Sequence, residues 1–149
     1  MSTINEGLKA TGQLVITVRG EDGKVKDERK VSNLVVTTGR NFIASRMANT
    51  SPSGMSHMGV GSGVTAPALG DTALESQLGS RVSLTSSTTD ANVTTYTATF
   101  APGEGSGAVT EAGIFNAATA GTMLCRTTFD VVNKGAGDTL AISWSVTIN

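Results

Sequence analysis

The sequence has little cysteine, little histidine, few aromatic residues and few charges. Its 149 residues include one cysteine (Cys125), one histidine (His57), 4% aromatic residues and 15% charged residues, whereas an ordinary soluble domain has about 25% charged residues. One cysteine excludes an internal disulfide and a metal site built from several cysteines. One histidine leaves few ways to build a His-dependent triad or a zinc site. We therefore expect no enzyme, no catalytic residue, no cofactor and no metal.

The sequence also lacks a charge excess and a long apolar run. The net charge is −1 and the pI is about 5.7, so there is no general basic field to hold nucleic acid. No apolar run approaches the ~18 residues of a membrane span. The first seven residues show neither the basic nor the apolar region of a secretory signal. We expect neither nucleic acid nor a membrane among the partners.

Small hydroxyl residues and glycine are abundant, with 22 Thr, 15 Ser and 18 Gly. Apolar residues alternate with small or polar ones from Leu140 to Ile148, which is typical of a half-buried strand. The same alternation marks 95–100 and 81–85, and less regular candidates lie at 56–61, 108–116 and 122–132. About eight strands joined by short turns predict an all-β fold, an antiparallel β-sandwich or jelly roll.

A charged hairpin is predicted near the N-terminus. Gln13–Arg19 leads through Gly20–Gly23, whose Asp-Gly pair favours a hairpin turn, into Lys24–Val31. Nine of the 23 charged residues lie between Arg19 and Lys30. Because their signs are mixed, we interpret them as solvated charges that discourage pairing at an exposed strand edge.

Two short helices are predicted between the strands. Thr38–Ala48 places Phe42, Ile43 and Met47 on one face. Asp71–Leu78 has a candidate N-cap, leucines four residues apart and a glycine after its end. Residues 13–149 are expected to form one domain, preceded by an N-terminal arm, residues 1–12.

Two local patterns suggest chemistry and are better explained by structure. Gly59–Gly63 resembles a phosphate-binding loop, but Val64–Pro67 does not begin a helix, as a dinucleotide site requires. We interpret it as a flexible exit from a strand. His57 has no second histidine or acid near it in the sequence.

The remaining polar candidates are also given structural roles. Asp71 and Glu75 at i, i+4 form a minimal cation site or, more simply, a capped first turn. Glu104 and Glu111 flank a glycine turn, as a glycosidase pair could, yet no aromatic cluster accompanies them. Arg81 and Arg126 are interpreted as ion-paired, with Glu111 as one candidate acid, or as lying along apolar surface with the charged group in water. Cys125 is predicted to be buried, and the glycosylation sequon at Asn92 is given no weight.

Seven motifs follow one another along residues 33–149: Asn33–Arg40, Met58–Gly63, Ala66–Pro67, Asp71–Leu74, Arg81, Thr110–Asn116 and Arg126–Phe129. Their order resembles small virion proteins of tailed bacteriophages, and most of all the capsid cement (decoration) proteins of short-tailed phages. The G-x-G…A-P…D-T-x-L…R block among them is shared with tail-fibre and collar modules.

The resemblance implies a jelly-roll fold and a non-enzymatic protein on the capsid exterior, made in the host bacterial cytoplasm. The expected partners are the phage major capsid protein and a second copy of the chain, as a homodimer or a trimer. Three segments are candidate contacts: the arm, Met1–Gly12; the hairpin, Arg19–Lys30; and the loops, Asn49–Gly70. The alternatives are a tail-fibre or collar module and a carbohydrate-binding or hydrolytic β-sandwich that uses Glu104 and Glu111.

Overall fold

One helix and nine strands make up the regular structure. The structure, a computed structural model, describes residues 7–49 and 52–149. The elements are β1 (Ala10–Arg19), β2 (Val25–Val35), α1 (Thr37–Met47), β3 (His57–Gly61), β4 (Val82–Ser83), β5 (Ser86–Asp90), β6 (Val93–Phe100), β7 (Gly107–Phe115), β8 (Met123–Lys134) and β9 (Thr139–Ile148).

All nine strands belong to one antiparallel sheet. Their order is β4-β3-β7-β8-β2-β1-β9-β6-β5, and the sheet curls into a half-barrel. The prediction of an all-β, antiparallel fold is confirmed, with nine strands instead of about eight. The additional strand, β5, is a run of hydroxyl residues that has no apolar alternation to reveal it.

Strand β2 joins the two halves of the sheet. Its first part pairs with β1 over the register Arg19↔Val25 to Gly12↔Asn33, and only Leu34 and Val35 pair with β8. Beyond those two residues the strands separate, so the sheet folds over on itself. The predicted hairpin turn between β1 and β2 is confirmed, with Gly23 at a φ of 79°.

One hydrophobic core fills the space between the two halves. Residues from both sides share the cluster, including Trp144 and Phe100 from one half and Met58 and Ile114 from the other. The Trp144 indole N–H donates a hydrogen bond of 3.0 Å to the Asn33 side-chain oxygen. Alternating strand residues therefore build one shared interior, as their spacing predicts.

The helix α1 confirms the first helix prediction and packs on β8. The predicted face is corrected at Met47, which is 88% exposed whereas Phe42 is buried. Gly39 and Phe42 are its buried residues. A Cβ at Gly39 would overlap the backbone carbonyl of Leu124, so only glycine allows this close approach. No helix within the described ranges is long and apolar enough to cross a membrane.

The second predicted helix, Asp71–Leu78, is wrong. The segment is irregular and runs beside β3, with the N–H of Ser62 donating to Ser76 and that of Leu78 donating to Val60, at 2.8 and 2.9 Å. Its leucine spacing satisfies a helix, but its backbone N–H groups bond to distant partners. These long-range hydrogen bonds override a weak local helix signal.

The expected N-terminal arm overlaps the first strand. β1 begins at Ala10, and Lys9 exchanges backbone hydrogen bonds of 3.1 and 2.7 Å with Asn149. Residues 1–6 of the arm, and residues 50 and 51 of the candidate contact loops, lie outside the described residues.

Candidate functional site: a loop anchored on a buried ion pair

A fully buried ion pair lies between β7 and β8. Glu111 is 0% exposed and Arg126 is 2% exposed. The Arg126 Nε donates to Glu111 Oε1 at 3.1 Å. The Nη2 atom lies 3.0 Å from the same oxygen but does not have hydrogen-bond geometry. The prediction that Arg126 pairs with an acid, with Glu111 as a candidate, is confirmed.

The main partners of Glu111 are backbone N–H groups of a distant loop, residues 62–78. Glu111 Oε2 accepts from the N–H groups of Gly63 and Ser76 at 2.8 and 2.7 Å, and Oε1 accepts from the N–H of Glu75 at 2.8 Å. Together with Arg126, four donors satisfy one carboxylate. Hydrogen bonds to an ionised acceptor are the stronger kind, so Glu111 anchors both ends of this loop, which we call the anchored loop.

Glycines at the exit of β3 allow the anchored loop to reach Glu111. Cβ atoms at Gly61 and Gly63 would overlap the Glu111 side chain. The Thr110 hydroxyl donates to the Gly63 carbonyl at 2.7 Å. Gly59–Gly61 lie within β3 and Gly63 is held on both its N–H and its carbonyl, so the interpretation of 59–63 as a flexible exit is corrected to a fixed one.

Asp71 and Glu75 also hold the loop, instead of forming a helix turn. Asp71 Oδ2 accepts from Arg126 Nη1 and from the N–H of Ala68, both at 2.9 Å. Glu75 Oε1 accepts from the N–H groups of Val64 and Thr65 at 2.9 and 3.2 Å, and its Oε2 accepts from the Thr65 hydroxyl. The Thr65 hydroxyl and these N–H groups lower the pKa of Glu75. The predicted capped turn is absent because these carboxylates bond elsewhere.

Arg81 holds a second loop, between β7 and β8. Its guanidinium lies 3.4 Å from the centre of the Phe115 ring and donates to the carbonyls of Ala117 and Ala120 at 3.0 and 2.8 Å. Partial burial lowers the pKa of Arg81. The prediction of an ion pair for Arg81 is replaced by a ring contact and a carbonyl clamp.

The anchored loop presents apolar side chains to solvent. Val64 is 76% exposed and Leu69 is 45% exposed. Val64 borders a shallow groove of about 400 Å³ whose other wall includes Phe129 and Val131 of β8. Val131 is 46% exposed. The groove is therefore lined in part by apolar side chains of the anchored loop and of β8.

The groove lies on a bulge of β8. Glu111 is opposite Thr128 and Val109 is opposite Val132, so three β8 residues, Phe129–Val131, face Thr110 alone. Bulges redirect side chains and are common next to functional sites. Here the bulge turns Val131 outward beside the anchored loop.

Charges of the β1–β2 hairpin support this bulge from the other side. Arg29 donates to the carbonyls of Asp130 and Val131 at 3.3 and 3.2 Å and is paired with Asp27 at 2.9 Å. Lys26 pairs with Asp138 at 2.8 Å, and that hydrogen bond lowers the pKa of Asp138. Seven of the nine charged residues between Arg19 and Lys30 are exposed, and β2 pairs with β8 only at Leu34 and Val35. The structure therefore agrees with the interpretation of these residues as solvated charges along a strand edge that is mostly unpaired.

The outer face of β1, β9, β6 and β5 carries small residues. Alternate residues of each strand point outward, and the three rows in the middle of this face carry no charged residue on these four strands, whereas on β2 two of the rows continue to Glu28 and Lys30. The rows are Thr17–Ala141–Thr99, Val15–Ser143–Thr97–Ser86 and Gln13–Ser145–Thr95–Thr88. Threonine and serine therefore supply most of the outer face in this half of the sheet.

The other sequence candidates occupy separate places. His57 Nδ1 lies 2.8 Å from the Ser56 hydroxyl, and Asn92 donates to the Ile148 carbonyl at 2.9 Å. Cys125 is buried, as predicted, and burial raises the pKa of its thiol. Glu104 lies in an exposed turn and accepts from the N–H of Ala101, whereas Glu111 is enclosed. The two carboxylates are not presented together to solvent.

One further buried group, Lys134, was not anticipated from the sequence, whereas the burial of Tyr96 follows from the alternation over 95–100. Lys134 is 2% exposed, and its Nζ donates to the Ala101 carbonyl at 3.0 Å. Burial lowers the pKa of Lys134. Tyr96 is buried in the core, which raises its pKa to about 12. A lysine at the end of a strand is normally exposed, so the burial of Lys134 is evident only from the folded turn at 135–138.

Among the described residues, no group of three or more His, Cys, Asp or Glu side chains is placed to hold a metal.

Comparisons with family models, with curated proteins and with solved structures found no match for this chain.

Proposed function

We propose that this chain is a capsid cement protein of a short-tailed bacteriophage. In this role it is a non-enzymatic protein that binds the outer surface of the assembled major capsid protein shell and bridges neighbouring subunits. Its partners are the major capsid protein and a second copy of itself. The sequence resemblance suggests the role, and the arrangement of the motif residues supports it.

The convergence of the motif residues is the observation that carries the proposal. Gly61 and Gly63, Asp71, Glu111 and Arg126 come from separate parts of the motif block, and they meet around one carboxylate. All of them hold the anchored loop in place. A motif whose residues fix a surface loop suits a protein that works by presenting a surface to a partner.

The chemistry of the presented surface suits adhesion to a protein shell. Val64 and Leu69 offer apolar contacts on the anchored loop, at positions that are already ordered before binding. Pre-ordering reduces the entropy lost on association. The small hydroxyl side chains of the outer face carry little ionic hydration, so covering them costs less than covering charges.

Shell stabilisation follows from mass action. A protein that binds only the assembled lattice stabilises that lattice by an amount that grows with the logarithm of the protein's free concentration above its dissociation constant. When several copies are linked as an oligomer on one shell, the high effective concentration of the linked copies strengthens their binding.

We also propose that the half-barrel is a variant of the jelly roll of cement proteins. Its wholly antiparallel pairing and its shared core support this proposal.

The proposal is tested by adding the purified chain to expanded shells of the phage that encodes it, prepared without the chain. We expect the chain to sediment with the shells and to raise their unfolding temperature. Cryo-electron microscopy of the virion should place it on the capsid exterior. Failure to bind the shell, or density on the tail, would overturn the proposal.

A matched pair of variants locates the contact. Val64→Asp places a charge on the anchored loop and should weaken shell binding about tenfold or more, since a buried unpaired charge costs at least 1.4 kcal/mol. Val25→Asp makes the same change on the β1–β2 hairpin, where Val25 is 48% exposed, and should leave binding unchanged. The reverse result would assign the contact to the hairpin and refute the role given to the loop.

A further inference from the structure

Strand β5 forms one edge of the sheet and is open along its length. All five of its residues, Ser86–Asp90, are exposed. Among the described residues it pairs with β6 alone, and β5 ends the strand order. The register with β6 runs without interruption from Ser86↔Thr97 to Asp90↔Val93. One row of backbone N–H and C=O groups therefore faces solvent in regular order.

This edge has none of the usual protections. Exposed edge strands are normally very short, charged, bulged or interrupted by proline, because an open edge pairs with other chains. The opposite edge of the sheet, β4, has only two residues. β5 has no lysine, proline or internal bulge, and its single charge, Asp90, lies at its end. An unprotected regular edge is the feature expected of a pairing site.

We propose that β5 pairs antiparallel with β5 of a second copy, around a two-fold axis beside Thr88. Two nine-stranded sheets then become one continuous sheet. Because an isologous interface brings the same residues of both copies together, Thr88 lies opposite its own copy, Ser87 opposite Thr89, and Ser86 opposite Asp90. This pairing supplies the surface for the homo-oligomer of the proposed function and rests on that part of it.

The side chains of β5 are compatible with this register. No two charges face each other across the axis, since Asp90 meets Ser86. Hydroxyl pairs already stabilise the contact of β5 with β6, between Ser86 and Thr97 at 2.5 Å and between Thr89 and Thr94 at 2.9 Å. Cross-strand Thr and Ser pairs of this kind favour sheet pairing. The new interface repeats the chemistry that holds the existing one.

The dimer should be weak in solution. Five residues from each copy form a contact smaller than the ~1,200 Å² of a standard stable interface. Its association is therefore expected to depend on concentration, and to strengthen when both copies are held on one surface. A hydrophilic edge of this kind pairs specifically without the apolar side chains that drive aggregation.

Charge-swap variants test the axis. Thr88→Lys and Thr88→Glu each place like charges directly opposite one another, so each variant alone should weaken self-association at least tenfold. An equimolar mixture should recover association as a heterodimer, because opposite charges then meet. Sedimentation equilibrium over a range of protein concentrations measures both effects on the full chain. The fluorescence of Trp144, which is fully buried, checks that each variant is folded.

A lysine elsewhere on the same face provides the control. Ser143→Lys places the charge on β9, at an exposed position of the outer face away from the edge, and should leave the dimer unchanged. The proposal is overturned if the unmodified chain stays monomeric or forms a trimer. It is also overturned if Ser143→Lys abolishes association while Thr88→Lys does not, or if mixing the variants restores nothing. Self-association is measured without shells, so its failure is distinguishable from a failure of shell binding.

Discussion

The carboxylate of Glu111 should contribute more to stability than the guanidinium paired with it. Replacing Glu111 by glutamine keeps the volume but puts an amide NH₂ where one oxygen was. Each oxygen accepts two donors, so at least two donors lose their acceptor. Hydrogen bonds to a charged group contribute about 1.5–3 kcal/mol each, and breaking a buried pair costs about 3–5 kcal/mol. Because these losses overlap, Glu111→Gln should lower the free energy of unfolding by about 3–5 kcal/mol.

The complementary variant, Arg126→Met, should cost less. Glu111 then keeps its three backbone N–H donors, which continue to hydrogen-bond both carboxylate oxygens. Asp71, whose side chain is 26% exposed, can exchange its lost partner for water. We expect a loss of about 1–3 kcal/mol. The asymmetry distinguishes a carboxylate that anchors a loop from an ordinary buried salt bridge, in which removing either partner is comparably harmful.

Two measurements separate global from local effects. Urea unfolding followed by the fluorescence of Trp144, the only tryptophan, gives the global free energy. Hydrogen exchange at the amides of Gly63, Glu75 and Ser76 reports opening of the anchored loop, which can occur without global unfolding. The reasoning is refuted if Arg126→Met is the more damaging variant. It is equally refuted if Glu111→Gln changes neither the unfolding free energy nor the exchange of these amides.

Three further predictions concern other contacts. The pKa of Glu75 in the folded protein is lowered from 4.5, so the stability that its carboxylate contributes is complete above about pH 4.5 and is lost as the pH falls through the folded pKa. The stability of Glu75→Gln, measured during acid titration, should lack this part of the pH dependence. A pH dependence equal to that of the unmodified protein would contradict the assignment. Gly39→Ala should destabilise the protein by about 1–3 kcal/mol in urea, because a Cβ overlaps the Leu124 carbonyl; wild-type stability would show that α1 is not held there. Trp144→Phe should cost about 1–3 kcal/mol in thermal unfolding, because it leaves the side-chain oxygen of half-buried Asn33 without its donor. A neutral effect would argue against that hydrogen bond.

Period-two patterns in the sequence located most of the sheet. The alternation of β9 and β6 and the Asp-Gly turn after β1 each predict the element that the structure contains. Their signals are local, since a strand with one buried face must alternate. Strand β5 was not predicted, because both of its faces are exposed and no apolar alternation marks it. The curl of the sheet was not predicted either, because it depends on the change of the pairing partner of β2 at Leu34.

The candidate site could be predicted only in part. Glu111 was named as a candidate partner of Arg126, but nothing local shows that it also receives N–H groups from residues 48, 36 and 35 positions away. The same long-range bonds explain the wrong helix at Asp71–Leu78. Its leucine spacing and its N-cap are genuine local signals for a helix. The hydrogen bonds from its backbone N–H groups to the buried carboxylate of Glu111 outweigh these signals.

The pairing of β1 with β9 has a consequence for the order of folding. The two strands match along their full length, from Ala10↔Ile148 to Arg19↔Thr139, so the contact closes a loop of more than a hundred residues. Such non-local contacts form slowly, whereas the β1–β2 hairpin can form from neighbouring sequence. Until β9 docks, β1 has an open edge bearing Leu14, Ile16 and Val18. Refolding should therefore be slow and most prone to aggregation before this last seam closes, and a chain shortened from its C-terminal side should fail at that step.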